Sequence, residues 1–130
     1  MNKIIITSIL FLLASNLTGC ATKDKGQIFQ STLRAYERVF RWGDIPKTNE
    51  FRKEPVLFTS ADKKRFKSIK VTDYDTQQIE PDGELTMNVT VQIRYYNEEY
   101  MREKSIEDNQ RWHYEKEKKL WYISSQMPKF

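Results

Sequence analysis

One cysteine and one histidine in 130 residues exclude a good deal of chemistry before any motif is read. A disulfide needs two thiols and a zinc site needs several Cys or His ligands, so Cys20 and His113 can build neither. Glycine and proline are scarce as well, at four each. No glycine-rich loop is available to cradle a phosphate, and no Gly-x-Ser-x-Gly elbow presents a nucleophile. Charge of one sign is also lacking: 22 Lys and Arg stand against 18 Asp and Glu, a net +4. That balance is too mild for a nucleic-acid-binding surface. No apolar run reaches the ~18 to 20 residues that a membrane-spanning helix needs. These absences leave no metal site and no cofactor to expect, and no residue to name as catalytic.

What is present begins at the N-terminus. Met1-Asn2-Lys3 brings one positive charge, Ile4 to Ala14 form an apolar run, and small residues surround Leu17-Thr18-Gly19-Cys20. Charge, apolar core and small residues in that order make a secretory signal peptide. Leu17-Thr18-Gly19-Cys20 resembles the bacterial lipobox, in which the cysteine is lipidated and becomes the first residue of the mature chain. The resemblance implies a lipoprotein signal peptide over 1–19, a lipidated Cys20 with its tether over 20–26, and a membrane anchor made of acyl chains. The alternative is an ordinary signal peptide with a free thiol at Cys20. Ala21, rather than Asp, follows the cysteine, which in such lipoproteins implies the outer membrane, facing the periplasm. Removing 1–19 takes away one charged residue, Lys3, leaving 21 basic groups against 18 acidic ones, or +3.

The remainder, 27–130, reads as one domain. Phe29, Leu33, Tyr36, Val39 and Phe40 recur at helical spacing, predicting a helix from Gln27 to Arg41 that Gly43 and Pro46 terminate. Val56, Leu57 and Phe58 read as a core plug between short turns, with a second short helix from Thr59 to Arg65. Ile69 to Ile79 reads as a strand with a bulge or bend at Asp73-Tyr74-Asp75. From Leu85 to Tyr95 the alternation is strict: Leu85, Met87, Val89, Val91, Ile93 and Tyr95 on one face, Thr86, Asn88, Thr90, Gln92 and Arg94 on the other. Arg102 to Lys116 and Leu120 to Ser125 complete an antiparallel meander. The predicted fold class is α+β, a long N-terminal helix packed on a curved four-stranded antiparallel sheet.

Several segments carry a resemblance: Ala35-Tyr36, Arg41-Trp42-Gly43-Asp44, Val71-Thr72-Asp73-Tyr74, Val91 to Asn97, Gln110-Arg111-Trp112, Leu120 to Ile123 and Pro128-Lys129-Phe130. In helix-then-meander order, the domain resembles the NTF2-like superfamily, the cone of the ketosteroid-isomerase-like and SnoaL-like proteins. With the lipobox, the chain looks similar to small lipoproteins of Gram-negative bacteria. The resemblance implies a cone interior in which enzymes of this superfamily place an Asp or His base. Here His113 falls out of phase with Trp112 and Tyr114, which puts it on the exposed side. Asp108 and Gln110 share the Trp112 face but read as hydrated near an open end, and Asp73 and Asp75 lie in the ambiguous bend.

Tyr36, Phe40, Met87, Tyr95, Trp112, Tyr114 and Trp121, with Asp108 and Gln110, could line an apolar pocket, or the aromatics could simply fill the core. Three functions follow. The leading one is a non-catalytic envelope lipoprotein that binds another protein, or a second copy of itself, through the exposed sheet face. The others are a binder of a small apolar molecule in the cone and, last, an isomerase- or hydratase-like enzyme using Asp108 or Asp73.

Overall fold

The computed structural model describes residues 24–130, so the signal-peptide and lipobox expectations, Cys20 included, lie outside the described residues. Helix α1 runs Lys25–Arg41. Asp24 caps it: its carboxylate accepts from the Gln27 N–H at 2.8 Å, and the Gln27 side chain accepts from the Asp24 N–H at 3.2 Å. This reciprocal box satisfies donors that the first turn would otherwise leave open. The helix therefore starts before Gln27, and residues 24–26, expected in the tether, belong to the fold. Apolar spacing locates the buried stripe, whereas the cap locates the end.

At the other end Gly43 takes φ 75°. The Gly43 N–H reaches Phe40 O and the Asp44 N–H reaches Val39 O, both at 3.1 Å. That is a Schellman closure, and only a residue tolerant of positive φ makes it without strain.

A 3-10 helix, Ile45–Phe51, follows. Asn49 then holds the chain on the way out, donating to Val56 O at 2.9 Å and accepting from Val56 N at 2.8 Å. The expected three-residue plug is corrected in part. Leu57 is 92% exposed, while Phe58 sits edge-on to Phe66 at 5.4 Å. The Asn49 clamp fixes Val56, so the next side chain along is turned to solvent. Helix α2, Ser60–Lys67, is capped by Thr59 and Asp62 in a second box.

Strands β1 Ile69–Pro81, β2 Thr86–Asn97, β3 Arg102–Glu115 and β4 Leu120–Ile123 form one antiparallel sheet in sequence order. The architecture is thus α+β, an open four-stranded meander with helical segments. Along β1 the pairing slips between Val71 and Asp73 and again between Thr76 and Gln78. Each slip inserts one residue and reverses the parity of the strand. Val71, Tyr74, Thr76 and Ile79 therefore stand opposite Tyr95, Ile93, Val91 and Val89 in turn. Without the slips, Asp73, Asp75 and Gln77 would face the core. The bulge expected at Asp73-Tyr74-Asp75 lies one residue earlier, and it has a companion at Gln77.

The core sits between α1 and the inner face of the sheet, where Phe29, Tyr36 and Phe40 meet Val89, Val91, Ile93, Trp112, Trp121 and Ile123. Burying each such side chain contributes roughly 1.5–3 kcal/mol. Phe130, from the C-terminal tail, packs against Tyr95 at 5.1 Å and Phe40 at 6.0 Å.

Candidate functional site

The polar groups closest to a site lie on the inner face of β3, under α1. Alternation puts Asp108, Gln110 and Trp112 on the buried side. Asp108 is 3% exposed and Gln110 2%, which corrects the expectation of hydrated positions near an open end. The cause is register: Asp108 stands opposite Val91 and Gln110 opposite Val89, in the middle of the sheet.

Gln110 organises the group. Its Nε2 donates to Asp108 Oδ2 at 2.7 Å and to the Tyr74 hydroxyl at 2.9 Å. Its Oε1 accepts from Trp112 Nε1 at 3.0 Å. One amide thereby satisfies an acid, a phenol and an indole, as a buried polar string must be satisfied to be tolerated.

The string has charge and loose ends. Burial pushes the Asp108 carboxyl up to about 6, against the opposing pull of the Gln110 hydrogen bond and the Arg52 charge. Burial likewise raises the Tyr74 hydroxyl, with Asp108 adding to the rise. The Tyr36 hydroxyl is raised by burial and by the negative field of Asp108, which Arg52 counters. Arg52 donates through Nη1 to Ser125 O at 2.7 Å, but among the described residues its Nε and Nη2 and the Tyr36 hydroxyl make no hydrogen bond of good geometry. An unpartnered buried hydroxyl costs about 1–3 kcal/mol. Tyr36→Phe is therefore expected to unfold at equal or higher denaturant, a gain of up to about 1 kcal/mol. A urea titration beside the parent checks it, and a loss of stability would mean that the hydroxyl is satisfied.

The nine residues expected to line a pocket are instead packed on one another and their neighbours. Tyr36 meets Phe40 at 5.1 Å and Trp112 at 5.2 Å, both edge-on. Phe29 lies 4.7 Å from Trp121, and Tyr95 is closed by Phe130. A cleft of about 170 Å³ does open between α1 and strands β1 and β2, bounded by Gln30, Arg34 and Glu37 above and Tyr74, Val89 and Gln110 below. Gln110 alone of the nine lines it. Tyr36, Phe40, Met87, Tyr95, Asp108, Trp112, Tyr114 and Trp121 do not, because the aromatic rings fill the volume behind it.

The remaining candidates lie on the outer face. Asp73 pairs with Arg94 at 2.8 Å, and that hydrogen bond holds its carboxyl below the usual range. His113 bridges Thr86 Oγ1 at 3.2 Å and Ser124 Oγ at 2.9 Å, so it faces outward as its phase predicts but is half-buried there rather than exposed. Asn88 accepts from Arg111 at 3.0 Å and Thr90 donates to Asn109 at 3.3 Å. The outer face is a ladder of such cross-strand polar pairs. Among the described residues, no group of three or more His, Cys, Asp and Glu is placed to hold a metal ion, and no helix is long and apolar enough to cross a membrane.

Sequence reasoning missed Arg52 and the Tyr74–Gln110 bond. Tyr74 meets Gln110 across β2, and only the slipped register of β1 brings it there. Arg52 follows a 3-10 helix, a position at which a charged residue reads as solvated. No protein family, curated protein or solved structure matches the chain.

Proposed function

We propose that the chain is a lipid-anchored envelope protein, held to the outer membrane through Cys20, whose domain is an NTF2-like cone acting in protein interaction or complex assembly without catalysis. The observation that carries this reading is the occupied interior: Trp112, Tyr36, Phe29 and Phe40 are the largest fully buried side chains and they meet at the centre of the domain. With that volume taken, the outer face of the sheet is the broad surface that remains. Thr86, Asn88, Thr90, Gln92 and Arg94 present it, and its paired donors and acceptors suit a polar, hydrated contact.

Two measurements on protein extracted from membranes test the two halves. Intact mass should show a chain beginning at Cys20 and carrying acyl groups, and a mass without them would refute the anchor. Gentle detergent extraction should yield a discrete complex, either a homodimer or a stoichiometric pair with another envelope protein, which Arg94→Glu disrupts. A monomer recovered alone would refute the interaction.

A second reading, a binder of a small apolar molecule, draws on the cleft between α1 and strands β1 and β2. An isomerase- or hydratase-like activity has least support, since Asp73 lies on the outer face and Asp108 is enclosed behind Gln110.

A further inference from the structure

Two basic clusters stand out in the chain, Lys63-Lys64-Arg65 and Lys116-Glu117-Lys118-Lys119, and the fold separates them. The first sits on α2. It lies by the end of the sheet where Ile69 pairs with Asn97, and the Glu98 N–H donates to Ser68 O at 2.9 Å. The second is the turn between β3 and β4, at the opposite end. That end also holds the start of α1: Trp121 Nε1 donates to Lys25 O at 3.1 Å, and Lys25 Nζ donates to Glu84 O. β2 is 12 residues long, so at ~3.3 Å per residue the two ends stand about 40 Å apart.

Cys20 precedes Asp24 by four positions. Fully extended at ~3.3–3.6 Å per residue, that segment reaches about 14 Å. A membrane that holds Cys20 is thus within reach of the β3–β4 turn and well short of α2.

The chemistry of the turn suits that neighbour. Lys116 through Leu120 are all exposed, and Leu120, an apolar residue beside the lysines, is 47% exposed. Lys119 takes φ 53° in the reversal between β3 and β4. Several acids at this end are already engaged: Asp82 pairs with Arg111 and Glu115 with Lys53, both at 2.9 Å, and Asp24 caps α1. Within the turn itself Glu117 stands alone against Lys116, Lys118 and Lys119. Basic side chains around one apolar residue favour an anionic, partly apolar surface.

Resting on the lipid-anchor reading above, we infer that the tip Lys116–Leu120 is a second membrane contact: it sits on anionic lipid headgroups and stands the domain end-on, with α2 and the β2–β3 turn farthest from the bilayer.

The test uses the full-length chain extracted from membranes, its acylation checked by intact mass, carrying Glu117→Cys labelled with an environment-sensitive fluorophore. The protein is reconstituted into vesicles of phosphatidylethanolamine with phosphatidylglycerol, or of phosphatidylcholine alone. The expected result is several-fold less quenching by an aqueous quencher in the anionic vesicles. High salt and the combined substitutions Lys116→Glu, Lys118→Glu and Lys119→Glu should abolish that protection, and a label at Lys63→Cys should stay fully quenched in both. Acylated protein whose label at position 117 is quenched equally in both vesicles overturns the tip contact while leaving the anchor intact. A mass without acyl groups overturns the anchor itself, and the proposal with it.

Discussion

Trp112→Ala is expected to lower the unfolding free energy by about 3–5 kcal/mol, the range for deleting a large buried aromatic side chain. Trp112 is fully buried. Its ring lies 5.2 Å from Tyr36, 6.3 Å from Phe29 and 6.4 Å from Phe51, each contact edge-on. Truncation opens a cavity in a rigid setting that α1 on one side and the sheet on the other cannot both close. It also strips Gln110 Oε1 of the indole donor it accepts from, adding a buried unpaired acceptor. Trp42→Ala is the control: Trp42 is 82% exposed, so its loss should change stability by no more than about 0.5 kcal/mol. Urea unfolding of the three proteins measures the contrast. A cost for Trp112 near that of Trp42 would mean that the interior is loose, which would favour a ligand chamber.

Asp108→Asn carries the second large effect, and here the sign depends on pH. The carboxyl titrates near 4 in an unfolded chain, and burial raises it to about 6 in the folded one. Between those values the folded protein keeps a proton that the unfolded chain has lost. The contribution of Asp108 to stability is therefore greatest below pH 4, falls as pH rises towards 6, and is flat above. The fall is about 3 kcal/mol, as a proton affinity raised about a hundredfold requires. Asparagine keeps an oxygen that can accept from Gln110 Nε2 and carries no charge to bury. The variant should lack this fall and be the more stable protein at pH 7. Asp62, Asp73 and Glu115, whose partners hold them below the usual range, contribute the opposite slope to both proteins, so it cancels in the comparison. Denaturant midpoints of parent and variant at pH 4, 5, 6 and 7 decide it; curves that stay parallel would show that Asp108 is ionised without penalty.

Much of this fold is legible in the sequence, and what is not has identifiable causes. The strict alternation of Leu85 to Tyr95 announces the central strand because its two faces meet opposite environments. Asp108, Gln110 and Trp112 share a face by the same counting. β1 resists counting, since the insertions at Thr72 and Gln77 reverse its parity twice and only the partner strand reveals them. The Gln110 bond to Tyr74 is hidden for the same reason. Phe130 is an aromatic at the end of a tail, and nothing local says that it closes over Tyr95 and Phe40. Arg52 is read wrongly by any rule that sends charge to solvent, because its partner is the Ser125 carbonyl, 73 positions away.

Site-specific photo-crosslinking in intact cells tests most directly whether the outer face of the sheet is the docking surface proposed above. A photoreactive residue placed at Thr90, on the outer face, should give one discrete protein adduct, while one placed at Gln30, above the cleft, should give none. No adduct at Thr90 together with capture of a small molecule or a protein at Gln30 would contradict that proposal, for then the cleft between α1 and the sheet is the working surface.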